Sequence, residues 1–295
     1  GHPADVIQPG QNYTYSFPIN NRAGMYWYHP HSDMATAKQA YLGLAGLFKV
    51  IDAEEQALNL PSGDFEIPLV IQDKLLKNTS AFSYSPSGLD MMNGLLGDHV
   101  LVNGVHAPLL NIESRLYRLR ILNGSNGRIY NLGFSNVTPF VVIGSDGGLL
   151  EAPEIASNIL LSPGERVDVL VDFSGIQLNT EIYLVSEIFS GGEYQGKQAF
   201  NIMKFVMHQT VSDSFEIPSL LSSYIAIPEI ESTRTRAFDI SNGGGHGGHG
   251  GGMMMTMHTI NGKSYNKDRI DENMESGATE IGTVENTQGI DPQTM

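Results

Sequence analysis

Tyr117-Arg118-Leu119-Arg120-Ile121-Leu122-Asn123 and Arg166-Val167-Asp168-Val169-Leu170-Val171-Asp172-Phe173 point to an all-β fold. In both, apolar residues alternate with charged ones, the period-two pattern of a strand with one wet face, so each segment predicts a half-buried antiparallel strand with its arginines or aspartates in water. No helical period of any length interrupts residues 65–209. The chain carries 33 Gly and 14 Pro, only 17% charged residues, and β-branched and aromatic residues in short runs, the profile of turn-rich β-sandwiches. Upstream, Asn12-Tyr13-Thr14-Tyr15-Ser16-Phe17 alternates polar with aromatic residues behind a Pro9-Gly10 turn and predicts a further strand. It leads through residues 20–24 into a strand ending in Trp27-Tyr28-His29-Pro30-His31. Asp33 is placed to cap a short helix over residues 34–40, and Gly43 and Gly46 punctuate the strand after it.

At 295 residues and 41% hydrophobic content, the chain holds about two domains of ordinary size. A net charge of −15 argues against a nucleic-acid partner, whose phosphate backbone needs a clustered basic surface, and favours cations. With no cysteine, neither a disulfide nor a thiolate metal site is available. No apolar run approaches the ~20 residues of a membrane span. Gly1-His2-Pro3-Ala4-Asp5 has neither the basic nor the apolar region of a secretory signal, and reads as the interior of a longer sequence. Composition shifts divide the chain into a first unit at 1–52, a linker at 53–64 with a helical turn in it, a fuller second unit at 65–215, a linker at 216–235, and a third unit opening at 236–295.

Two stretches carry metal chemistry. His29 and His31 stand at i and i+2, so in extended backbone their imidazoles leave the chain on one side; Pro30 fixes its own φ and keeps His29 extended. Copper suits such a pair. The second is the Gly-rich run holding His246, His249, Met253, Met254, Met255, Met257 and His258. Thioethers select Cu(I), imidazoles accept either oxidation state, and glycines let backbone wrap an ion, so a weak, labile copper site preferring Cu(I) to Zn(II) is expected; a plain linker is the alternative. His2, in a turn, and His99, His106 and His208, which lack a partner at i+2, read as structural. Asp98 and Asp146 read as turn-shaping residues.

Taken together, the segments resemble the multicopper oxidases, especially the bacterial and archaeal laccase-like and copper-efflux oxidases. Trp27-Tyr28-His29-Pro30-His31 with Tyr41-Leu42-Gly43-Leu44-Ala45-Gly46-Leu47 is similar to the second His-X-His motif of their first domain. Gly97-Asp98-His99-Val100-Leu101-Val102-Asn103-Gly104, the Tyr117 stretch running to Ser125, Gly144-Ser145-Asp146-Gly147-Gly148-Leu149-Leu150 and Ser162-Pro163-Gly164-Glu165-Arg166-Val167-Asp168 resemble the second domain. Thr259-Ile260-Asn261-Gly262-Lys263-Ser264-Tyr265 and Thr283-Val284-Glu285-Asn286-Thr287 resemble the start of the third. The segments cover nearly the whole chain in family order.

The resemblance implies tandem cupredoxin-like Greek-key sandwiches, and a copper-dependent oxidase that passes electrons from phenols, Cu(I) or similar small reductants to dioxygen, forming water. It implies that His29 and His31 each go to a different type 3 copper of a trinuclear cluster, and that the protein works in the periplasm, cell envelope or outside the cell. Departures matter equally. The family's first His-X-His motif falls before Gly1, and Val284-Glu285-Asn286-Thr287-Gln288-Gly289-Ile290-Asp291 runs into Pro292-Gln293-Thr294-Met295 where the next motif is expected. Two of eight cluster ligands are present and none of the Cys-centred type 1 site, so an incomplete chain, inactive alone, is expected. A degenerate cupredoxin scaffold for copper sequestration or protein interaction is the alternative.

Overall fold

The computed structural model describes residues 5–77, 81–191, 194–243 and 257–286. They divide into two compact units, a larger one running to Tyr224 and a smaller one from Ile225. The larger unit is a sandwich of two sheets. The first sheet, from edge to edge, is Gly148–Ala156, Phe140–Ser145, Arg166–Asp172, Leu116–Asn123, Glu66–Lys74, His99–Val102 and Val105–His106. The second is Ile159–Leu161, Tyr130–Phe134, Glu181–Ser186, Phe200–Gln209 and Leu109–Glu113. Sequence neighbours Leu109–Glu113 and Leu116–Asn123 sit in opposite sheets, and each finds a parallel partner distant in sequence, Phe200–Gln209 and Glu66–Lys74. Such crossings between layers produce Greek-key sandwiches.

The core fills the space between the sheets. Leu119, Ile121, Val169 and Val171 from one sheet meet Leu132, Ile182, Leu184 and Phe205 from the other, all fully buried. Phe134, Phe173 and Phe205 close the centre, with Phe134 edge-on to Phe173 at 5.8 Å between centroids. Edge-to-face contact sets the positive rim of one ring against the negative face of the other. Truncating any one ring to alanine would cost about 3–5 kcal/mol in lost transfer energy and cavity formation.

The wet face expected for Leu116–Asn123 is absent: every residue of that strand is buried, Arg118 and Arg120 included. The strand pairs in parallel with Glu66–Lys74 and antiparallel with Arg166–Asp172, and its outer face is covered. Asp52 caps the helix Ala53–Ala57 through the Glu55 amide at 2.8 Å, and the helix delivers Glu55 to both arginines. Arg118 also binds Asp168 through Nε (2.9 Å) and its terminal nitrogen (2.6 Å), and Arg120 binds Glu66 at 2.5 Å. Lys49 completes the group on Glu66 at 2.8 Å, so Arg118, Arg120 and Lys49 face Glu55, Glu66 and Asp168. Burial alone would push the Glu66 carboxyl up; the bond from Lys49 and the Arg120 charge outweigh it and hold Glu66 below the usual carboxylate range. Buried charge is tolerable here because each group faces an opposite charge, although Glu55 Oε2 and Arg120 Nη1 find no hydrogen-bond partner.

Three further expectations need correction. Asn12–Phe17 is no strand: Tyr13, Tyr15 and Phe17 are each about two-thirds exposed, because no described segment offers that stretch a hydrogen-bonding edge. The strand before the histidines is Gly24–Tyr28, which pairs antiparallel with Gly46–Val50 and ends one residue short of His29. The helix that follows is Thr36–Tyr41, and Asp33 does not cap it; Thr36 Oγ1 instead donates to the Ser32 carbonyl at 2.9 Å.

The hairpin of Gly24–Tyr28 and Gly46–Val50 is fastened to the sandwich. Arg166 Nε donates to the Met25 carbonyl at 3.0 Å, and Arg22 donates to the Leu149 carbonyl at 3.1 Å and Ser222 Oγ at 2.7 Å. The two backbones nearly touch: a Cβ on Gly148, where φ is +103°, would lie 2.6 Å from the Ala23 carbonyl oxygen. The stretch read as a second linker is partly docked as well, since Leu221 and Ser222 are buried and the Leu221 amide donates to the Glu151 carbonyl at 2.8 Å.

The smaller unit is a four-stranded sheet in the order Lys263–Ser264, Met257–Ile260, Arg234–Gly243, Glu280–Asn286, with the last pair parallel. Asn261 and Gly262 both have positive φ, as the tight turn between Met257–Ile260 and Lys263–Ser264 requires.

Candidate metal centre

His29 and His31 follow directly on the end of Gly24–Tyr28. Their ring centroids lie 4.3 Å apart with 39° between the planes, so the spacing seen in sequence does bring the two imidazoles together. Trp27 also stacks on His29, at 4.2 Å and 21°. Gly164, at φ +82° in the turn after Ile159–Leu161, lies under the same indole, where a Cβ would sit 3.3 Å from Trp27 Cζ2. Downstream, Lys74 Nζ donates to the Tyr41 carbonyl at the end of Thr36–Tyr41, the Leu75 amide donates to Tyr41 Oη at 2.6 Å, and Asn126 donates to the Ala37 carbonyl at 2.8 Å. The histidine pair therefore hangs between a strand end and a helix, both anchored on the larger sandwich.

With its proton on Nδ1, His29 donates to the Pro30 carbonyl at 3.1 Å, which leaves the Nε2 lone pair free. Burial, and secondly the charge His31 would carry, lower the His29 pKa from its ordinary value against the raising effect of the Pro30 hydrogen bond. Both influences favour the neutral imidazole a metal requires. Neutral nitrogen donors held side by side fit a copper centre, each as one ligand. They do not make a whole centre: among the described residues no three His, Cys, Asp or Glu side chains converge as a metal cage.

Of the second candidate stretch, His246, His249, Met253, Met254 and Met255 lie outside the described residues. Met257 opens the strand Met257–Ile260, opposite Gly243, and His258 pairs with Asn242 and has an exposed side chain, so residues 244–256 join two antiparallel strands. His208 Nδ1 lies 3.2 Å from the Ile112 carbonyl. Asp146 accepts from the Arg166 amide at 2.7 Å, in the turn between Phe140–Ser145 and Gly148–Ala156. His99 and His106 come together, their ring centroids 5.4 Å apart, and Asp98 meets His99 Nδ1 at 2.6 Å. Spacing along the chain did not disclose that pair, nor the part Gly164 plays beneath Trp27. The signal for the first was available in the Asn103-Gly104 hairpin turn between the two histidines.

Multicopper oxidase family models match residues 1–55 and 70–203. The laccase of Bacillus subtilis (strain 168) is 31% identical over 290 residues, which take in 94% of this chain and 55% of that protein. The cell division protein FtsP of Edwardsiella tarda is 43% identical over 176 residues, 59% of this chain and 37% of that protein. Among solved structures, the McoA multicopper oxidase of the hyperthermophile Aquifex aeolicus superposes with a TM-score of 0.85 at 32% identity, covering 98% of this chain and 64% of that one. This chain thus spans about half the length of the laccase it matches, and its two-sheet sandwich is the cupredoxin fold of these oxidases. Two family models in chain order, similarity to a laccase across nearly the whole chain, and the shared fold agree: the chain belongs to the multicopper oxidase family, whose cofactor is copper.

Proposed function

We propose that this chain is the part of a laccase-like multicopper oxidase that supplies one histidine pair, His29 and His31, to the copper centre where dioxygen is reduced to water. The observation that carries the reading is the side-by-side placement of the two rings, 4.3 Å apart, on backbone anchored to the sandwich at both ends. Copper, when bound, supplies the one-electron redox chemistry that links oxidation of phenols, Cu(I) or similar reductants to dioxygen reduction. The chain's own residues do the holding. Pro30 and its carbonyl fix the ring of His29, Trp27 covers one face of that ring, and Gly164 leaves the indole room.

The same reading parses residues 1–52, 65–215 and 236–295 as parts of three successive cupredoxin domains and sets the whole protein in the periplasm, cell envelope or extracellular space. Among the described residues no helix is long and apolar enough to cross a membrane. It also keeps the stretch 246–258 as a labile Cu(I) site. Equal Cu(I) affinity after joint replacement of His246, His249, Met253, Met254, Met255 and Met257 by alanine would remove that stretch from the account.

Trp27 makes the central claim testable on the chain itself, since it is the only tryptophan and stacks on His29. Stoichiometric Cu(II) should quench its fluorescence, and His29→Ala or His31→Ala should weaken that quenching at least about tenfold in copper concentration, each variant having lost one of two ligands. In a chimera joined to the remaining segments of the B. subtilis laccase, the same substitutions should lower bound copper and nearly abolish dioxygen consumption, with the blue band retained. Unchanged quenching and turnover would leave His29 and His31 as ordinary loop histidines.

A further inference from the structure

The pair that sequence spacing missed lies on the larger sandwich. His99 opens the strand His99–Val102 and His106 closes Val105–His106, the hairpin at one edge of the seven-stranded sheet. Leu101 pairs with His106, so His99, two residues before Leu101, is the diagonal cross-strand neighbour on the same face; long and ring side chains reach each other across that diagonal. Alternation points Val100 and Val102 into the core and turns His99 outward. The turn between the strands is stiff, with Asn103 at φ +52° and Gly104 at φ +79°, the two-residue geometry that matches strand twist. Asn103 is also pinned from its side chain, accepting from the Val70 amide at 2.8 Å and donating to the Pro68 carbonyl at 2.9 Å.

The ring centroids of His99 and His106 are 5.4 Å apart. Two imidazoles on one tetrahedral ion, with metal–nitrogen bonds near 2.0–2.1 Å, place their ring centres roughly 5 Å apart. Asp98 accepts from His99 Nδ1 at 2.6 Å, which fixes the tautomer and leaves the Nε2 lone pair outward. A carboxylate behind a histidine is the arrangement that raises the ligand's basicity and sets its ring orientation at metal sites. Both rings are open to solvent: the His99 side chain is about one-third exposed and His106 is exposed. Lys74, the residue paired with His99 on the other side, aims its ammonium away at the Tyr41 carbonyl.

We propose that His99 and His106, with Asp98 orienting His99, form a second and independent site for a divalent ion of borderline softness, copper(II) or zinc(II), with water completing its coordination. Two protein ligands make it a labile surface site, and the net charge of −15 raises the local concentration of cations around it. It owes nothing to His29 and His31, so either reading stands if the other fails.

Zinc(II) alone is the probe, because it has no redox chemistry and little affinity for the thioethers of residues 253–257. The full chain, with and without one equivalent of zinc, is labelled with diethyl pyrocarbonate at neutral pH, and each histidine is read separately by peptide mass spectrometry. His99 and His106 should be protected together, by at least about threefold, while His208 labels as before. His106→Ala should return His99 to its metal-free labelling rate, even though Asp98 still hydrogen-bonds it. Asp98→Asn should raise the zinc concentration needed for protection by about tenfold or more, the usual effect of losing such an orienting partner. Equal labelling of His99 and His106 with and without zinc in the unaltered chain would overturn the proposal, as would protection confined to other histidines or His99 protection that survives His106→Ala.

Discussion

At the scale of single residues, chemistry here is set by what lies against a ring or a charge. Trp27 stacks on His29 and also lies against Gly164, where a Cβ would meet the indole more tightly than most real contacts. Gly164→Ala would force a side chain into the left-handed region and bring its Cβ within 3.3 Å of the indole. A loss of about 1–3 kcal/mol of stability is expected by urea denaturation, with a shift in Trp27 emission that Gly147→Ala, at an open position, would not produce. Lys74 offers a second test. Burial first, opposed by Asp73, lowers its pKa to about 8, from 10.5 in the unfolded chain. Between those values the unfolded chain binds the extra proton, so this group adds stability as pH rises from about 8 to 10.5 and withdraws it as pH falls. The stability difference between the parent and Lys74→Met should therefore grow in the parent's favour over that interval. A flat difference would mean that Lys74 stays charged in its pocket.

Among elements, the strand Leu116–Asn123 shows how far alternation can mislead. Its Arg-Leu-Arg pattern is that of a solvated face, yet Glu55, Glu66 and Asp168 arrive from a helix and two neighbouring strands to receive both guanidinium groups indoors. Arg118→Met should cost about 3–5 kcal/mol in equilibrium unfolding, because Asp168 and Glu55 would be left buried and under-compensated. An exposed arginine, as the sequence alone suggested, would cost less than about 1 kcal/mol. The same reasoning explains Asn12–Phe17. Alternation describes a face, but a strand also needs a neighbouring edge, and the described residues offer it none.

For the molecule as a whole, the chain carries a two-sheet sandwich of the multicopper oxidase family with a histidine-bearing strand pair fastened to it. The copper-loaded chain should show no intense band near ~600 nm, since that absorption needs a copper–thiolate bond and the sequence has no cysteine. The all-β class, the hairpin turns at Asn103-Gly104 and Asn261-Gly262, the family and the closeness of the His29 and His31 rings were legible along the chain, because turn chemistry, strand period and an i, i+2 histidine spacing are local properties. That Arg118 and Arg120 are buried, that Gly164 lies against Trp27, and that His99 meets His106 across a hairpin came only from the folded arrangement. The partners of Arg118 lie 50 and 63 residues away, and Gly164 is well over a hundred residues from Trp27. Which charge ends up paired, and which ring ends up held, depends on how Greek-key crossings bring distant strands side by side, and no local period records that.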